Sequence, residues 1–247
     1  MNPYLATKAN IPEGYGHELF SLTHILTLLF TAALIYAVSR VYRRVDEKSR
    51  ITIKRVIAFL LIADEILKDG NALLTGQWEW GLLPLHLCSV NIFIILYEAF
   101  SDSETAKNYL YAVCIPGAIC ALIFPSWITS LPYFGLMSLH SWSVHILLLM
   151  YPILLLSGGF IPDWHKFFRA RVIIPFAFFL AFDYFFNNAF NTDFFFLRKG
   201  GEGNPLSFFE SILPDPLYIV FVLVLLVLMV VMMYFINFLI KKRRGLA

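Results

Sequence analysis

The sequence predicts an all-α polytopic membrane protein, a bundle of about seven transmembrane helices, from its composition, its long apolar segments and the placement of its basic residues. Of the 247 residues, 59% are hydrophobic and only 15% are charged, whereas a soluble domain carries about 25% charged residues. The mean hydropathy is +0.72. This composition excludes a disordered chain, a coiled coil and an ordinary soluble enzyme. The net charge of +2 gives no indication of a nucleic-acid partner.

Seven segments have the length needed to cross a membrane, which is about 17–25 mostly apolar residues. In chain order they are Leu19–Val41, Ile51–Lys68, Gly81–Phe100, Lys107–Pro125, Gly135–Leu156, Arg171–Asn191 and Pro216–Ile240. The second is the least apolar, and the seventh is the least ambiguous. We therefore expect one transmembrane domain over residues 19–240, between a short exterior tail, 1–18, and a basic cytoplasmic tail, 241–247.

The basic residues predict the orientation of this bundle. All but four of the 19 Lys and Arg residues fall on one side, and the exceptions are Lys8, Lys68, Arg198 and Lys199. Cytoplasmic loops are enriched in Lys and Arg. We therefore expect the N-terminus outside, the C-terminus in the cytoplasm, and the plasma (cytoplasmic) membrane as the location. The first 16 residues lack a basic region followed by a short apolar core, so no cleavable signal peptide is expected.

The loop before the last span, about Thr192–Asp215, is longer than most connections that have no function. It contains the segments FFFL and LSFFESIL around a Gly-rich centre. Two interpretations remain open for it: a short interfacial helix or lid, and an aromatic membrane anchor.

Polar side chains inside the predicted spans point to a functional site, because a charged residue at mid-membrane costs roughly 2.5–3.5 kcal/mol on insertion scales. With the expected orientation, nearly all of them fall in the outer half of the bilayer, and the cytoplasmic halves read as largely apolar. They are His24, Asp64, Glu65, Lys68, His86, Cys88, Asn91, His140, His145, Asp183, Asn187, Asn188 and Asn191. A transport path needs polar groups at both depths. One-sided polarity instead predicts a cavity open to the outer leaflet or to the exterior.

Several of these residues also have a purely structural interpretation. Asp64 and Lys68 are four residues apart on one helix, so they can neutralise each other, or Asp64 can orient a histidine. Span six carries one polar stripe, formed by Asp183, Asn187 and Asn191. That stripe can join helices, or Asp183 or Asn187 can orient the histidine. His24 is expected to be a hydrogen-bonded residue of the bundle.

Cys88 stands out as a possible nucleophile. It lies in LPLHLCSVN, close to the start of a helix after Pro84, where the helix dipole stabilises a thiolate. The other two cysteines, Cys114 and Cys120, are interpreted as buried and inert. His86 is about 200° around the helix from Cys88, so the base is expected to come from another span.

Span five, with the sequence GLMSLHSWSVHILLL, offers that base. Ser138, Ser141 and His145 share one helix face, so His145 lies in a polar stripe. A thiol, an imidazole and a polar cradle for an oxyanion together form an acyl-transfer site. Asn91, three residues after Cys88, is a candidate oxyanion donor. A zinc site from His86, His140, His145 and Asp64 is the weaker alternative, because the His pair of span five is spaced i,i+5 rather than i,i+4.

LPLHLCSVN, a later His-bearing span and FNNAFNTDFFFL before a final span together resemble the YwaF-type bacterial integral membrane family. That family is similar to the transmembrane protein 164 acyltransferase group and, more remotely, to the androgen-induced membrane hydrolases. The resemblance runs from Glu18 to Ile240. Its later motif is matched at Asn191, but the expected Tyr is absent after it.

The resemblance implies activity on acyl lipids, with Cys88 as nucleophile, His145 as base and His86 shaping the site. We therefore expect an acyl-lipid transferase or hydrolase that uses membrane lipids and no cofactor. His140, Asp64, Asp183, Asn187 and Asn191 are expected as supporting or orienting residues. A small-solute transporter or lipid-binding protein is the alternative from another class, and a non-catalytic receptor or assembly subunit is a third.

Overall fold

The computed structural model describes residues 2–7, 11, 14–201 and 204–243. Parts of both predicted tails, residues 1, 8–10, 12–13 and 244–247, lie outside the described residues, as do residues 202–203 of the long loop and the side chains of residues 170–171. All regular secondary structure in the described part is helical. The predicted all-α membrane class is therefore confirmed.

The helices occur in the following order. They are α1 (Leu22–Arg44), α2 (Glu47–Leu74), α3 (Leu87–Ser101), α4 (Glu104–Tyr109), α5 (Ile115–Ile123), α6 (Leu136–Ser157), α7 (Trp164–Phe167), α8 (Ala170–Phe190), α9 (Pro205–Ile212) and α10 (Leu217–Arg243). A π-helical turn, Leu110–Cys114, joins α4 to α5. Pro116 lacks the N–H that a regular α-helix would use at that point, which explains the widened turn.

A long helix or helical segment occupies each of the seven predicted positions, and five are long and apolar enough to cross a membrane. Those five are Leu22–Arg44, Glu104–Ile123, Leu136–Ser157, Val172–Phe190 and Leu217–Arg243. α2 has the length but carries many charged residues. α3 has only 15 residues, because the chain before it forms a 3-10 turn at Trp80–Leu82 and a further turn at Pro84–Leu85. A residue that precedes proline is disfavoured in the α conformation, so α3 begins at Leu87 rather than Gly81.

α6 is the central helix of the bundle. It packs against α1, α2, α3 and α5. Of its most apolar 18-residue stretch, 67% is buried inside the bundle. α8 and α10 lie at the periphery, and only 17% and 11% of their most apolar stretches are buried. Their exposed side chains are mostly Phe, Leu, Ile and Val. This is the surface expected where a bundle faces lipid.

Long-range contacts define two opposite ends of the bundle. At the end where α1 begins, called here the N-terminal face, His24 of α1 contacts the carbonyl of Leu122 at the end of α5. At the other end, called here the basic face, Lys54 of α2 is 3.2 Å from Glu98 at the end of α3. The predicted site residues lie in the half of the bundle nearer the N-terminal face.

The basic face is more polar than the sequence predicted. Glu98 is fully buried and is paired with Lys54 and with the hydroxyl of Tyr151. Asp102 forms a further ion pair with Lys54, at 3.0 Å. The prediction that the halves on this side are largely apolar is therefore wrong, because a buried acid is tolerated where a lysine and a tyrosine hydroxyl share its charge.

Candidate functional site

The thiol of Cys88 and the imidazole of His145 meet between α3 and α6. The distance from Cys88 Sγ to His145 Nε2 is 3.1 Å. Cys88 is the second residue of α3, so it lies within the first turn, where the helix has unpaired backbone N–H groups. The structure thus brings together the two residues that the sequence singled out.

The hydrogen bonds of His145 determine which nitrogen carries the proton. Nδ1 lies 2.7 Å from the backbone carbonyl oxygen of Ser141, one turn earlier on α6. A carbonyl oxygen can only accept, so Nδ1 must donate and hold the ring proton. Nε2 is then unprotonated and faces the Cys88 thiol as a hydrogen-bond acceptor. A neutral imidazole in this tautomer is oriented to take a proton from the thiol.

The site combines a buried base with a partly accessible thiol. His145 is buried, with 7% of its surface exposed, whereas Cys88 is intermediate in exposure, as is every residue from 81 to 90. Burial of the base limits the access of water to its nitrogen, and the segment that carries the thiol is partly exposed.

Two buried polar side chains near the pair have unused hydrogen-bonding capacity in the described part of the chain. Asn91 is 1% exposed, and its Oδ1 has no hydrogen-bond partner there. Ser138 is fully buried, and its Oγ is likewise unpaired. Buried polar groups are nearly always hydrogen-bonded, so these two groups are suited to receive a polar atom of a ligand. Asn91 follows Cys88 by one turn of α3, and Ser138 precedes His145 by two turns of α6.

A cluster of charged side chains lies beside this pair, between α2 and α6. His140 Nδ1 is 3.4 Å from Asp64, and His140 Nε2 is 3.8 Å from Glu65. Asp64 also accepts a hydrogen bond from the hydroxyl of Ser143. Of the two interpretations of Asp64, the structure shows the one in which it contacts a histidine. That histidine is His140 rather than His145.

Lys68 is therefore not the partner of Asp64. It pairs with Glu65, one turn earlier on α2, and with Asp69 at 3.3 Å. It also donates to the carbonyl oxygen of Leu82, at 2.8 Å. The i,i+4 spacing of Asp64 and Lys68 permitted a contact, but tertiary partners on both sides of α2 compete for these side chains and outweigh it.

His86 faces the aromatic turn, a name used here for residues 191–197. Its ring centroid is 4.8 Å from that of Phe194 and 6.4 Å from that of Phe196. Phe195 and Phe196 both have positive φ, at 58° and 55°, which is rare for residues with a bulky side chain. The aromatic turn therefore packs directly on the LPLHLC segment, two residues before Cys88.

Asn187 holds that turn in place and is not available to orient the histidine. Its Oδ1 accepts from the hydroxyl of Thr192 at 2.9 Å and from the N–H of Phe194 at 2.8 Å, and its Nδ2 donates to the Phe194 carbonyl at 3.0 Å. Asn191 ends α8 in the left-handed conformation and accepts from Arg198. Asn187 and Asn191, both in the segment FNNAFNTDFFFL, thus stabilise the aromatic turn.

Asp183 is fully buried, and both of its carboxylate oxygens lack a hydrogen-bond partner among the described residues. It lies one turn before Asn187 on the inward face of α8. The structure places no histidine within hydrogen-bonding distance of it in the described part of the chain. The orienting role predicted for Asp183 is therefore not seen, and its burial supports a position in the packing of α8.

The remaining polar candidates have structural partners. His24 is fully buried, donates from Nε2 to the carbonyl of Leu122 at 2.9 Å, and accepts from the N–H of Phe20 at 3.0 Å. Cys114 is buried and donates to the carbonyl of Leu148. The prediction that Cys120 is buried is wrong, because Cys120 is exposed on α5.

The geometry gives little support to a zinc site. One nitrogen of His145 bonds a carbonyl and the other faces the thiol, while both nitrogens of His140 face carboxylates. Over the described ranges, no three His, Cys, Asp or Glu side chains are grouped in a way that could hold a metal ion.

An apolar groove of about 270 Å³ lies between α1, α5 and α6. Nine residues line it: Leu28, Thr31, Ala32, Ile35, Ile119, Leu122, Ile123, Leu149 and Ile153. Leu149 and Ile153 follow His145 by one and two turns of α6. The groove therefore extends from the level of the imidazole towards the middle of the bundle.

Sequence reasoning overlooked three contributors to this region. Ser143 follows His140 by three residues and shares its helix face, so its contact with Asp64 was open to prediction. Glu65 points about 100° away from Asp64 on an ideal helix, yet both acids lie near His140. The carbonyl of Leu82, which Lys68 binds, leaves no signal in a sequence.

Together these features define a polytopic helical membrane protein with a paired cysteine and histidine between two of its central helices. Residues 19–234 match the TMEM164 family, and the chain belongs to that family. The resemblance drawn from the LPLHLC segment to the transmembrane protein 164 group is thereby confirmed. Comparison with curated proteins and with solved structures gives no match.

Proposed function

We propose that the protein is a membrane-embedded acyl-lipid transferase or hydrolase in which Cys88 is the nucleophile and His145 is the base. The observation that carries this proposal is the 3.1 Å contact between Cys88 Sγ and the unprotonated Nε2 of His145. Nucleophile and base within hydrogen-bond reach, with the base held by a third group, is the arrangement that cysteine acyl transfer requires. The third group here is the Ser141 carbonyl.

The reaction proceeds in two stages. The sulfur of Cys88 attacks the carbonyl carbon of a lipid ester, a C–S bond forms, and the thiol proton passes to His145 Nε2. The tetrahedral intermediate then expels the alcohol, whose oxygen takes the proton from His145, and a thioester on Cys88 remains. An acceptor alcohol or water attacks the thioester while His145 removes its proton, and the C–S bond then breaks as His145 Nε2 returns that proton to the sulfur, which restores the thiol.

Charge that develops on the carbonyl oxygen needs hydrogen-bond donors. The carboxamide of Asn91 lies one turn from Cys88 and is buried, at 1% exposure. We assign Asn91 as the oxyanion donor through its amide N–H, together with the backbone N–H groups at the start of α3. The hydroxyl of Ser138 is a second polar group on the His145 face.

An acyl lipid fits the surroundings of the pair better than a polar substrate does. The thiol sits in a segment with Leu83, Leu85 and Leu87, and the groove beside α6 has Thr31 as its one polar lining residue. We place the acyl chain in that groove. We further propose that the N-terminal face is the exterior side of the plasma membrane, so that the site opens towards the outer leaflet.

The test is formation of an acyl-enzyme. The full chain in lipid nanodiscs would be treated with activated fatty-acid esters and its intact mass and tryptic peptides measured. We expect one acyl adduct, on the peptide that contains Cys88. Cys88→Ala should abolish it, and His145→Ala should slow it by about 10²–10⁴-fold, the usual contribution of a general base.

Cys120→Ala is the matched control, because Cys120 is also accessible and lies outside the pair. This variant should acylate Cys88 at the wild-type rate. Acylation of Cys120 in place of Cys88, or equal rates with and without His145, would contradict the proposal and would favour a lipid-binding protein without catalysis.

A further inference from the structure

A chain of buried polar contacts links the Cys88 segment to α2. Lys68 Nζ donates to the carbonyl of Leu82 at 2.8 Å, and Leu82 ends the 3-10 turn from which the chain runs through Pro84 to Cys88. The ammonium group of Lys68 is itself held by Glu65. The side chains of Lys68 and Glu65 are only 7% and 8% exposed. The start of the LPLHLC segment is therefore tied to a fixed charge on α2.

The same cluster continues from α2 to α6. Glu65 lies 3.8 Å from His140 Nε2, and Asp64 lies 3.4 Å from His140 Nδ1. Ser143 donates to Asp64. His140 and Ser143 flank Ser141, whose carbonyl fixes the ring of His145. α2 thus holds the base-bearing part of α6 from one side and the thiol-bearing segment from the other.

This arrangement matters because the thiol and the imidazole belong to different helices. α2 packs extensively along both α3 and α6, whereas α3 and α6 share a smaller interface with each other. The Cys88 segment is also irregular before α3 begins, so its position is not fixed by helical hydrogen bonds. A hydrogen bond between sulfur and nitrogen is lost if either group moves by about 1 Å.

We propose that Lys68 is a positioning residue that sets the distance between Cys88 and His145 by anchoring the Leu82 carbonyl, with Glu65 and His140 completing the link to α6. This inference rests on the proposed function. A buried ion pair is weak evidence for stability, since the cost of desolvation offsets the attraction between the charges. Fixing the geometry of a neighbouring site is a role that such a pair can serve.

The chain contains a matched control for this pair. Lys54 is also buried, at 7% side-chain exposure, and pairs with Glu98 at 3.2 Å. It lies on the basic face, and none of its hydrogen bonds reaches the Cys88 segment. Lys54→Met and Lys68→Met therefore remove equivalent buried charges on the same helix, and only the second removes a contact to the Cys88 segment.

The experiment measures alkylation of Cys88 by a small iodoacetamide as a function of pH, with the full chain in nanodiscs and the modified peptides resolved by mass spectrometry. In the wild type, we expect a component of the rate near neutral pH that His145→Ala removes. Lys68→Met should lose that component, with a decrease of about tenfold or more at neutral pH, because a base out of reach contributes nothing. Lys68→Arg should recover most of it, since a guanidinium can donate to both partners.

Lys54→Met should leave the rate and its pH profile unchanged, even if it lowers the melting temperature. If Lys68→Met does not fold, the double variant Lys68→Met/Glu65→Gln avoids an unpaired buried carboxylate and is expected to show the same loss. A wild-type pH profile in Lys68→Met or in Lys68→Met/Glu65→Gln would overturn the inference.

Alkylation requires no acyl lipid, so this test is independent of the acyl-transfer test. Absence of an acyl-enzyme on Cys88 would defeat the proposed function without altering the alkylation profiles. Conversely, normal alkylation in Lys68→Met would defeat the positioning role and leave acyl transfer by Cys88 intact.

Discussion

The tautomer of His145 is the single-residue feature on which the proposed chemistry depends. Its Nδ1–H is bound to a carbonyl four residues earlier in its own helix, at 2.7 Å. Helical geometry therefore supplies the orienting group that many enzymes take from a separate carboxylate. Because the orienting atom belongs to the backbone, no substitution at Ser141 removes it, and the histidine retains its orientation as long as α6 is intact.

At this scale we predict that Asn91→Leu, a variant of similar volume without hydrogen-bonding groups, slows acylation of Cys88 by about 10²–10³-fold, the usual effect of losing one oxyanion donor. The rate of alkylation of Cys88 should change little, because alkylation develops no oxyanion. Single-turnover acylation and iodoacetamide labelling measured on the same preparation would check this.

Asn188→Leu serves as the control, since Asn188 is exposed and donates only to the Tyr184 carbonyl in its own helix. It should acylate at the wild-type rate. Parallel losses of acylation and alkylation in Asn91→Leu would show that the residue supports the thiol itself rather than the oxyanion.

Among the elements, the aromatic turn and the start of α3 are interdependent. The buried cluster of Phe194, Phe195 and Leu197 packs against Leu83, Leu85 and Leu87, and Phe194 contacts His86. The two strained phenylalanines are held by this packing and by the carboxamide of Asn187. The aromatic turn thus covers the segment that leads to the thiol. α9, Pro205–Ile212, is a short helix in the same loop.

We predict that Asn187→Leu releases the turn. The variant removes three hydrogen bonds from a fully buried site, so it should lower the free energy of unfolding by about 2–3 kcal/mol. Limited proteolysis should then cut within residues 191–204 faster than in the wild type. Asn188→Leu, one residue further along α8 on the exposed side, should change stability by no more than about 0.5 kcal/mol. Equal proteolysis of the two variants would contradict this assignment.

The molecule as a whole is polarised along its axis. The N-terminal face holds Cys88, His145 and the aromatic turn, whereas the basic face holds the paired cluster of Lys54, Glu98 and Asp102. Lys107 and Lys166 extend this cluster through Asp102 and Glu104. The lysines of this cluster stabilise the charged form of Asp102. Burial alone would raise the pKa of this carboxyl, but hydrogen bonds from Lys107 and Lys54 hold the pKa below its usual value.

We predict that the N-terminal face lies outside the cell, because most of the basic residues lie at the other face. A membrane-impermeant maleimide applied to intact cells should label Lys199→Cys, in the loop before α9, and leave Lys48→Cys, in the first turn of α2, unlabelled until the membrane is permeabilised. Both positions are exposed. Labelling above the wild-type background in the opposite order would reverse the orientation and place the site on the cytoplasmic side.

The sequence was sufficient to predict the class of fold and the two residues of the pair, because both follow from local properties. Apolar length determines which segments are helical, and a cysteine in LPLHLC beside a helix start is unusual enough to be noticed. The sequence was insufficient to predict that Glu98 is buried and that Cys120 is exposed. Whether a charged or sulfur-bearing side chain faces the bundle or the lipid depends on how the helix is rotated against its neighbours.

By itself, the sequence thus determined the helical membrane architecture, the family and the chemical types available at the N-terminal face. Only the tertiary structure decided which partners these side chains take. Asp64 contacts His140 and Ser143 instead of Lys68, Lys68 binds the Leu82 carbonyl, and Asn187 serves the aromatic turn. The physical reason is that hydrogen bonds and ion pairs act over about 3–4 Å, a scale fixed by helix packing between residues far apart in the chain.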